Sequence, residues 1–272
     1  APENAFVGLL YREKKIRQEG GLTRWADAPV TALIKEAAAA AETTRYAVAT
    51  ALGNAAPADA VPVLMRLLDD PSPLVQKQAL VSLARLPRID DPACCAALLD
   101  RIQRHADPLQ QTLRLFAADA LGRTGDAAVP ALLDLLADAQ ASQTWPYAIR
   151  ALGRTGTTEP RAIAALLNLL ENRTPQTASL RVSAVEALGQ LRATAAVPAL
   201  IALLDQRDRA SEEERAAAVA ALGRIGDARA IAPLIEHCRV GYGTMLVYSI
   251  KHVLDEALRS LTGVTGVVGC DE

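Results

Sequence analysis

Aromatic residues are scarce in this chain: two phenylalanines, two tryptophans and five tyrosines among 272 residues, or 3%. A core without many large rings is built from small and medium aliphatic side chains, and alanine supplies much of the 51% hydrophobic content. That composition favours closely packed helices over a β-sandwich and argues against disorder. An excess of either charge is missing too. With 29 basic against 31 acidic residues, a net of −2, the basic excess that drives general nucleic-acid binding is absent. No apolar run approaches 18 residues, so no segment reads as a membrane-spanning helix. The FVGLL stretch near the start is too short for a signal-peptide core. An opening at Ala1 without a methionine leaves room for a leader already removed.

Cysteine and histidine are equally sparse. Cys94, Cys95, Cys238 and Cys270 match neither a zinc spacing nor a disulfide-dense scaffold, and read as mostly free, buried thiols. Free thiols lean toward a reducing compartment, so the cytoplasm is slightly favoured, with periplasm or secretion retained if a leader was removed. His105, His237 and His252 show no HExxH spacing, and no metal is expected. His237 and Cys238 are neighbours, but adjacent residues on a helix point about 100° apart, which defeats a thiol–imidazole pair. Phosphate-loop, nucleophile-elbow and dinucleotide patterns are absent, and GRTGD and GRIGD recur with the repeat as turns. Paired carboxylates occur only in Glu212-Glu213-Glu214, read as an exposed helix start complementing the helix dipole. No catalytic residue and no cofactor are expected.

What is present is repetition. ALGRTGDAAVPALLDLL at 120–136 returns as ALGRIGDARAIAPLIEH at 221–237. The glycine of ALG falls at Gly53, Gly122, Gly153, Gly189 and Gly223, with degenerate copies ending at Ala84 and Arg259. Spacings of 31 to 38 residues between these anchors mark a stacked repeat protein. Each period holds two helical patterns. The first opens on a capping carboxylate such as Asp126 or Asp227, with Pro62, Pro130, Pro198 or Pro233 expected in the first turn, where a missing N–H costs little. Val129, Leu132, Leu133 and Leu136 then recur at helical spacing. The second runs into the anchor, as in VSAVEALG (182–189), with Val182, Val185 and Leu188 on one stripe and Ala184 and Ala187 allowing close approach. Gly189 is expected to end that helix in the left-handed conformation.

Seven helix pairs follow, at 28–53, 58–86, 91–122, 126–153, 158–189, 194–223 and 227–262. Residues 1–27 form an N-terminal capping segment, with a polar-faced helix at 4–18. The solenoid runs from 28 to 262, and 263–272 form a glycine-rich tail. An ending at CDE without a polar capping repeat suits a piece of a longer chain.

The phrase ALGxxGDxxAVPALxxLL resembles HEAT repeats, and most closely the short HEAT-like repeats named after phycobilin lyases, over about 28–262. The resemblance implies an all-α, right-handed alpha-alpha superhelix of about seven pairs, and says little of function, since such proteins serve as scaffolds, adaptors, lyase subunits and a few enzymes. HEAT-repeat di-iron hydroxylases use paired His-Glu motifs; here Ala106, Cys238 and Val253 follow the histidines, so those ligands are lacking.

Eight residues before each anchor stand Arg45, Gln76, Arg114, Trp145, Arg181, Arg215 and Lys251. Such a row could bind anions along one face. The favoured reading is an internal ladder, each cation tying the turn of an adjacent repeat through carbonyls or acids such as Asp70, Asp107 and Glu213; HEAT families generally show such an arginine. TWPYAIRALG (144–153) breaks the row with Trp145, followed by Pro146, which interrupts the first turn, and by Tyr147, whose counterpart one repeat earlier is Phe116. Second helices usually line the concave face of a solenoid, and aromatic side chains anchor interfaces. Phe116, Trp145 and Tyr147, flanked by Asp119 and Arg150 and extended by Glu186 and Tyr46, therefore form a candidate partner-binding strip; the bland alternative is that the rings fill gaps between repeats. Tyr242, Tyr248, Lys251 and His252 read as a terminal loop and cap.

The expected function is a non-enzymatic scaffold or adaptor holding a protein or peptide on the concave face. The alternative is a phycobilin-lyase-like subunit handling a tetrapyrrole. A DNA-binding solenoid is disfavoured by the near-neutral charge.

Overall fold

The computed structural model describes residues 11–16, 18, 25, 28–38, 41–104, 108–171, 177–206, 210–240, 257, 259 and 261–262, the side chains of 108–110 and 237–240 excepted. The chain divides into two compact units, Ala1–Ala131 and Leu132–Glu272. No strand occurs among the described residues.

In the first unit, residues 11–16 are helical. Three helix pairs follow: α1 (Val30–Glu36) with α2 (Glu42–Leu52), α3 (Pro57–Leu67) with α4 (Pro73–Arg85), and α5 (Pro92–Gln103) with α6 (Pro108–Leu121). The second unit continues with α7 (Val129–Ala137), which straddles the boundary, and α8 (Trp145–Thr155). It then adds α9 (Pro160–Glu171) with α10 (Ala178–Gln190), α11 (Val197–Asp205) with α12 (Glu212–Ile225), and α13 (Ile231–Val240). Each unit is a stack of helical hairpins of an all-α, HEAT-like solenoid. His105, Asp107, Cys270 and the Tyr242–His252 stretch lie outside the described residues, as do the side chains of His237 and Cys238.

Helix starts follow local chemistry. Ser72 accepts from the Leu74 N–H, Asp91 from those of Ala93 and Cys94, and Ser211 from that of Glu214, so donors left over in the first turn are satisfied. Asp227 caps the short 3-10 turn Ala228–Ala230, as its position suggested. Pro130 and Pro198 stand second in α7 and α11, within the first turn. Pro62 does not: α3 begins a full turn earlier at Pro57, leaving Pro62 inside the helix. The corresponding residues in three other repeats, within 122–128, 194–196 and 228–230, form 3-10 turns instead. Pro146 likewise starts α8 rather than interrupting it, since it occupies the first turn.

The ALG glycines are where the expectation fails. Gly189 lies inside α10, and Gly153 and Gly223 inside α8 and α12. The left-handed residues come three positions later, at Gly156 (φ 68°) and Gly226 (φ 77°), with Gly125 (φ 61°) in the first unit. In the α10 repeat that place is taken by Arg192 at φ 51°, a conformation that crowds its Cβ. The ALG glycines serve packing. A Cβ on Gly153 would lie 2.9 Å from Ala187 Cα, one on Gly189 2.8 Å from Ala221 Cα, and one on Gly223 2.7 Å from Ala257 Cα. Second helices therefore meet backbone to backbone. They carry most contacts between successive repeats: α2 with α4 and α4 with α6 in the first unit, α8 with α10 and α10 with α12 in the second. The buried surface matches the stripe read from sequence, with Val185, Leu188, Ala184 and Ala187 inside α10 and Val182 half-buried.

Candidate partner-binding surface

Of the row eight residues before each anchor, Arg45, Gln76, Trp145, Arg181 and Arg215 make internal ties, and Lys251 lies outside the described residues. In the first unit, Arg45 makes a bidentate pair with Asp70 on the next repeat: Nε donates to Oδ2 at 2.6 Å and Nη2 to Oδ1 at 3.0 Å. The hydrogen-bonded carboxylate holds the Arg45 guanidinium above its ordinary value, against a smaller opposing effect of burial. Asp70 also accepts from the Ser72 N–H at 2.8 Å, and Gln76 donates to the Asp70 carbonyl at 2.6 Å. Behind them Arg101 on α5 donates to Asp69 and to the Leu68 carbonyl of the preceding repeat; burial draws its guanidinium below the ordinary value.

In the second unit, Arg181 Nε and Nη2 reach Glu214 Oε1 at 2.8 and 2.6 Å, and Nη1 donates to Thr177 Oγ1 at 3.0 Å. The acid is Glu214, not Glu213, and it is fully buried, which corrects the view of 212–214 as a wholly exposed run. Ser211 places Glu214 at the third position of α12, where the side chain turns back toward the preceding second helix. Arg215 donates to the Ala210 carbonyl at 3.0 Å.

Trp145 is a rung of the same ladder. Its indole N–H donates to the carbonyls of Leu135 at 3.0 Å and Asp138 at 3.2 Å. Leu135 lies in the last turn of α7, whose carbonyls have no intrahelical partner. Trp145, Gln76 and Arg215 thus close the turn between their own paired helices, while Arg45 and Arg181 reach the next repeat. The tryptophan is half-buried and its ring is fixed by that bond.

The remaining site residues fall in two groups, one per unit. On α6, Phe116 is half-buried and Asp119, one turn on, is partly exposed; Leu115 beside them is 43% exposed. Lys77 on α4 places its ammonium over the Phe116 ring, 5.6 Å from the centroid, a cation–π geometry. On α8, Tyr147 is partly exposed and Arg150 exposed one turn later; Glu186 is exposed at the matching position of α10. These helices pack on one another, so an aromatic ring, a cation and an anion share one face of the second unit. Tyr46 does not extend an open strip: it is 1% exposed, and its hydroxyl donates to Glu13 at 3.2 Å.

Sequence reasoning missed Lys77, Leu115 and Glu13. Lys77 and Leu115 stand seven residues before their anchors, and numbering that row would have found them. Glu13 pairs across 64 residues, and no periodic signal marks it.

Cys94 and Cys95 are free and buried. Burial, with Asp91 adding to it, pushes the Cys94 thiol up to about 12, and burial raises Cys95, so neither is a ready nucleophile. Among the described residues no cluster of three or more His, Cys, Asp or Glu is placed to hold a metal, and no helix is long and apolar enough to cross a membrane.

Stacked helical hairpins tied by buried arginines define an α-helical repeat protein. A model of HEAT repeats matches residues 30–113 and 173–244, more than half of the chain, and one of the PBS lyase HEAT-like repeat matches 113–138 and 147–172. The chain belongs to the HEAT-repeat family. Solved structures similar to it include human deoxyhypusine hydroxylase in complex with glycerol, at 21% identity and TM-score 0.41 over 95% of this chain and 99% of that one. The complex of CpcE and CpcF of phycocyanin lyase from Nostoc sp. PCC7120 is similar at 18% identity and TM-score 0.47, over 85% of this chain and 96% of that one. YibA of E. coli is similar at 13% and 0.35, over 86% and 94%. No curated protein matches the sequence significantly.

Proposed function

We propose that this protein is an interaction scaffold or adaptor that holds a protein or peptide on its second helices, without chemistry of its own. The observation that carries this reading is the division of labour among side chains. Arg45 and Arg181 are engaged in tying repeats together and Arg215 in closing its own turn, so these cations are not the ligand surface. What the second helices present outward is different: Phe116 and Asp119 with Leu115 on α6, and Trp145, Tyr147 and Arg150 on α8 with Glu186 on α10. A half-buried indole whose N–H is already satisfied offers a rigid apolar surface, and rigid aromatic groups bind at low entropic cost. Arg150 and Glu186 add a cation and an anion for orientation.

The test is a pull-down with the wild type and a variant carrying Phe116→Ala, Trp145→Ala and Tyr147→Ala, each shown to be folded. Recovery of the partner is expected to fall at least tenfold. Equal recovery would remove these residues from the interface. Trp145→Ala alone separates the two uses of that ring: loss of stability with unchanged partner affinity makes it a rung only. A bilin mixed with the protein is expected to give no absorbance shift; a shift would replace the scaffold reading with tetrapyrrole handling.

A further inference from the structure

We propose that residues 11–16 are a latch, occupying in cis a docking site on the second helices of the first unit whose other occupant is a partner helix with adjacent basic and acidic residues. The proposal rests on the second-helix face being a partner surface, and it names the chemistry that surface selects.

Three observations support it. The first is the seat of Glu13. Its carboxylate is buried, and it accepts from Tyr46 on α2 at 3.2 Å and from Lys77 Nζ on α4 at 2.7 Å. A buried carboxylate is costly unless donors converge on it, and here two donors on neighbouring helices do so. The second is reach. A helix that merely closed the end of the stack would need to touch the first pair alone. Lys77 belongs to the second pair, and its ammonium also lies over Phe116 of the third. The segment therefore spans the first two second helices, and Lys77 links it to the ring assigned to partner binding. The third is polarity. Arg12 pairs with Glu42 at 2.6 Å, and Glu42 also accepts from the Ser72 hydroxyl. The receiving surface thus offers an acid beside a Lys–Tyr donor pair, and the Arg12-Glu13 step of the latch satisfies both. Ile16, one turn beyond Glu13, is buried and adds an apolar contact.

The hold is suited to exchange. The Arg12–Glu42 pair is exposed on the arginine side, 61%, and such pairs contribute little. A partner helix offering the same three groups, a base, an acid next to it and an aliphatic residue one turn on, replaces the latch without any new pocket being formed. Lys77 then keeps its place over Phe116 and receives the partner's carboxylate in place of Glu13.

The experiment uses the full chain and a fluorescein-labelled peptide with the sequence of residues 4–18, read by anisotropy. Wild type is expected to bind it weakly because the site is filled. Glu13→Gln is expected to bind at least tenfold more tightly, since the latch loses its anchor while Lys77 and Tyr46 remain. Adding Lys77→Met to Glu13→Gln is expected to abolish that gain. Circular dichroism and a cooperative melt must show Glu13→Gln folded; an unfolded variant would overturn the proposal, because a displaceable latch leaves the repeats intact. Equal binding by wild type and Glu13→Gln, or a gain that survives Lys77→Met, would overturn it as well. Either failure leaves the loss of partner recovery on Phe116, Trp145 and Tyr147 substitution untouched, so the two readings fail separately.

Discussion

The two units solve the same packing problem with different materials. In the second unit, successive second helices meet through a glycine against an alanine: Gly153 on Ala187, Gly189 on Ala221 and Gly223 on Ala257. At each point the opposing alanine Cα lies within 2.7–2.9 Å of where a Cβ would stand, with Gln190 Oε1 also 2.8 Å away at Gly153. In the first unit the corresponding contact is Gly53 against Ser82, whose hydroxyl and Cβ lie 3.0 and 3.2 Å from where a Cβ would stand. The ties differ as well. The first unit spreads its charge pairs along the turns, with Arg45 on Asp70 and Arg101 on Asp69. The second concentrates on Arg181 with the fully buried Glu214. The lesson is that one repeat phrase specifies a geometry, while the tolerance at each contact depends on how close the opposing backbone comes: 2.7–2.9 Å in the second unit and 3.3 Å at Ser82 Cα in the first.

The largest test of that contrast is Arg181→Ala. It leaves Glu214 buried without its guanidinium, and losing one partner of a buried pair costs about 3–5 kcal/mol. Arg45→Ala in the first unit leaves Asp70 with the Ser72 N–H and is expected to cost less. Urea melts of both variants measure the difference; equal losses would break the comparison.

Next comes Gly189→Ala. Helix propensity alone would stabilise the variant by about 1 kcal/mol. The new methyl would overlap the Ala221 backbone, and overpacking costs about 1–3 kcal/mol or more. A net destabilisation of about 2 kcal/mol is expected. Gly53→Ala, whose new methyl would stand 3.2 and 3.3 Å from Ser82 Cβ and Cα, should cost less. A stabilised Gly189→Ala would show that the second unit is not built on backbone contact.

A smaller effect, of opposite sign, is expected at Arg192. It is exposed and adopts φ 51° where the parallel repeats have glycine. Arg192→Gly relieves the left-handed strain, about 1–2 kcal/mol, less the added freedom of the unfolded chain, for a net gain of about 0.5–1 kcal/mol. A thermal melt checks the sign.

The smallest effect is pH-dependent. Hydrogen bonds from the Arg229 side chain and backbone hold the Asp227 carboxyl at about 2, below its ordinary value near 3.8. The stabilising contribution of a depressed acid is present above the unfolded value and lost as pH falls through the folded one. The stability gap between wild type and Asp227→Asn should therefore narrow between about pH 4 and pH 2. A gap unchanged over that window would contradict the capping role. Arg229 also donates to the Thr194 carbonyl of the preceding repeat at 3.1 Å, so this exposed cap ties two turns of the second unit.

Much of this architecture was legible in the sequence. A period of 31 to 38 residues and apolar residues at helical spacing gave the paired helices, and the row of arginines gave the ladder, with Asp70 among the nearby acids but not assigned to Arg45. The role of the ALG glycines was not legible. A glycine at the end of an apolar helical pattern reads equally as a left-handed stop or as a contact, and only the neighbouring helix decides. The real stops are the second glycines of GRTG and GRIG, three residues on. Trp145 is similar: its residue type suggests an interface, while its hydrogen bonds to Leu135 and Asp138 make it a rung whose face is left over. The Glu13–Lys77 pair lay beyond any local rule, since long-range pairing between a non-repeated segment and a repeat leaves no periodic trace. The site residues on α6, α8 and α10 were named from their positions on second helices, and their role is tested by binding.

In this reading the second helices, and not the first, receive the partner. The most direct measurement is photo-crosslinking in cells with benzoylphenylalanine placed singly at Phe116 and Tyr147 on second helices, and at the exposed Asp134 and Asn168 on the first helices α7 and α9. The account predicts one discrete adduct, of the same partner, from positions 116 and 147 and none from 134 and 168. Adducts formed equally from all four positions, or only from the first helices, would contradict it.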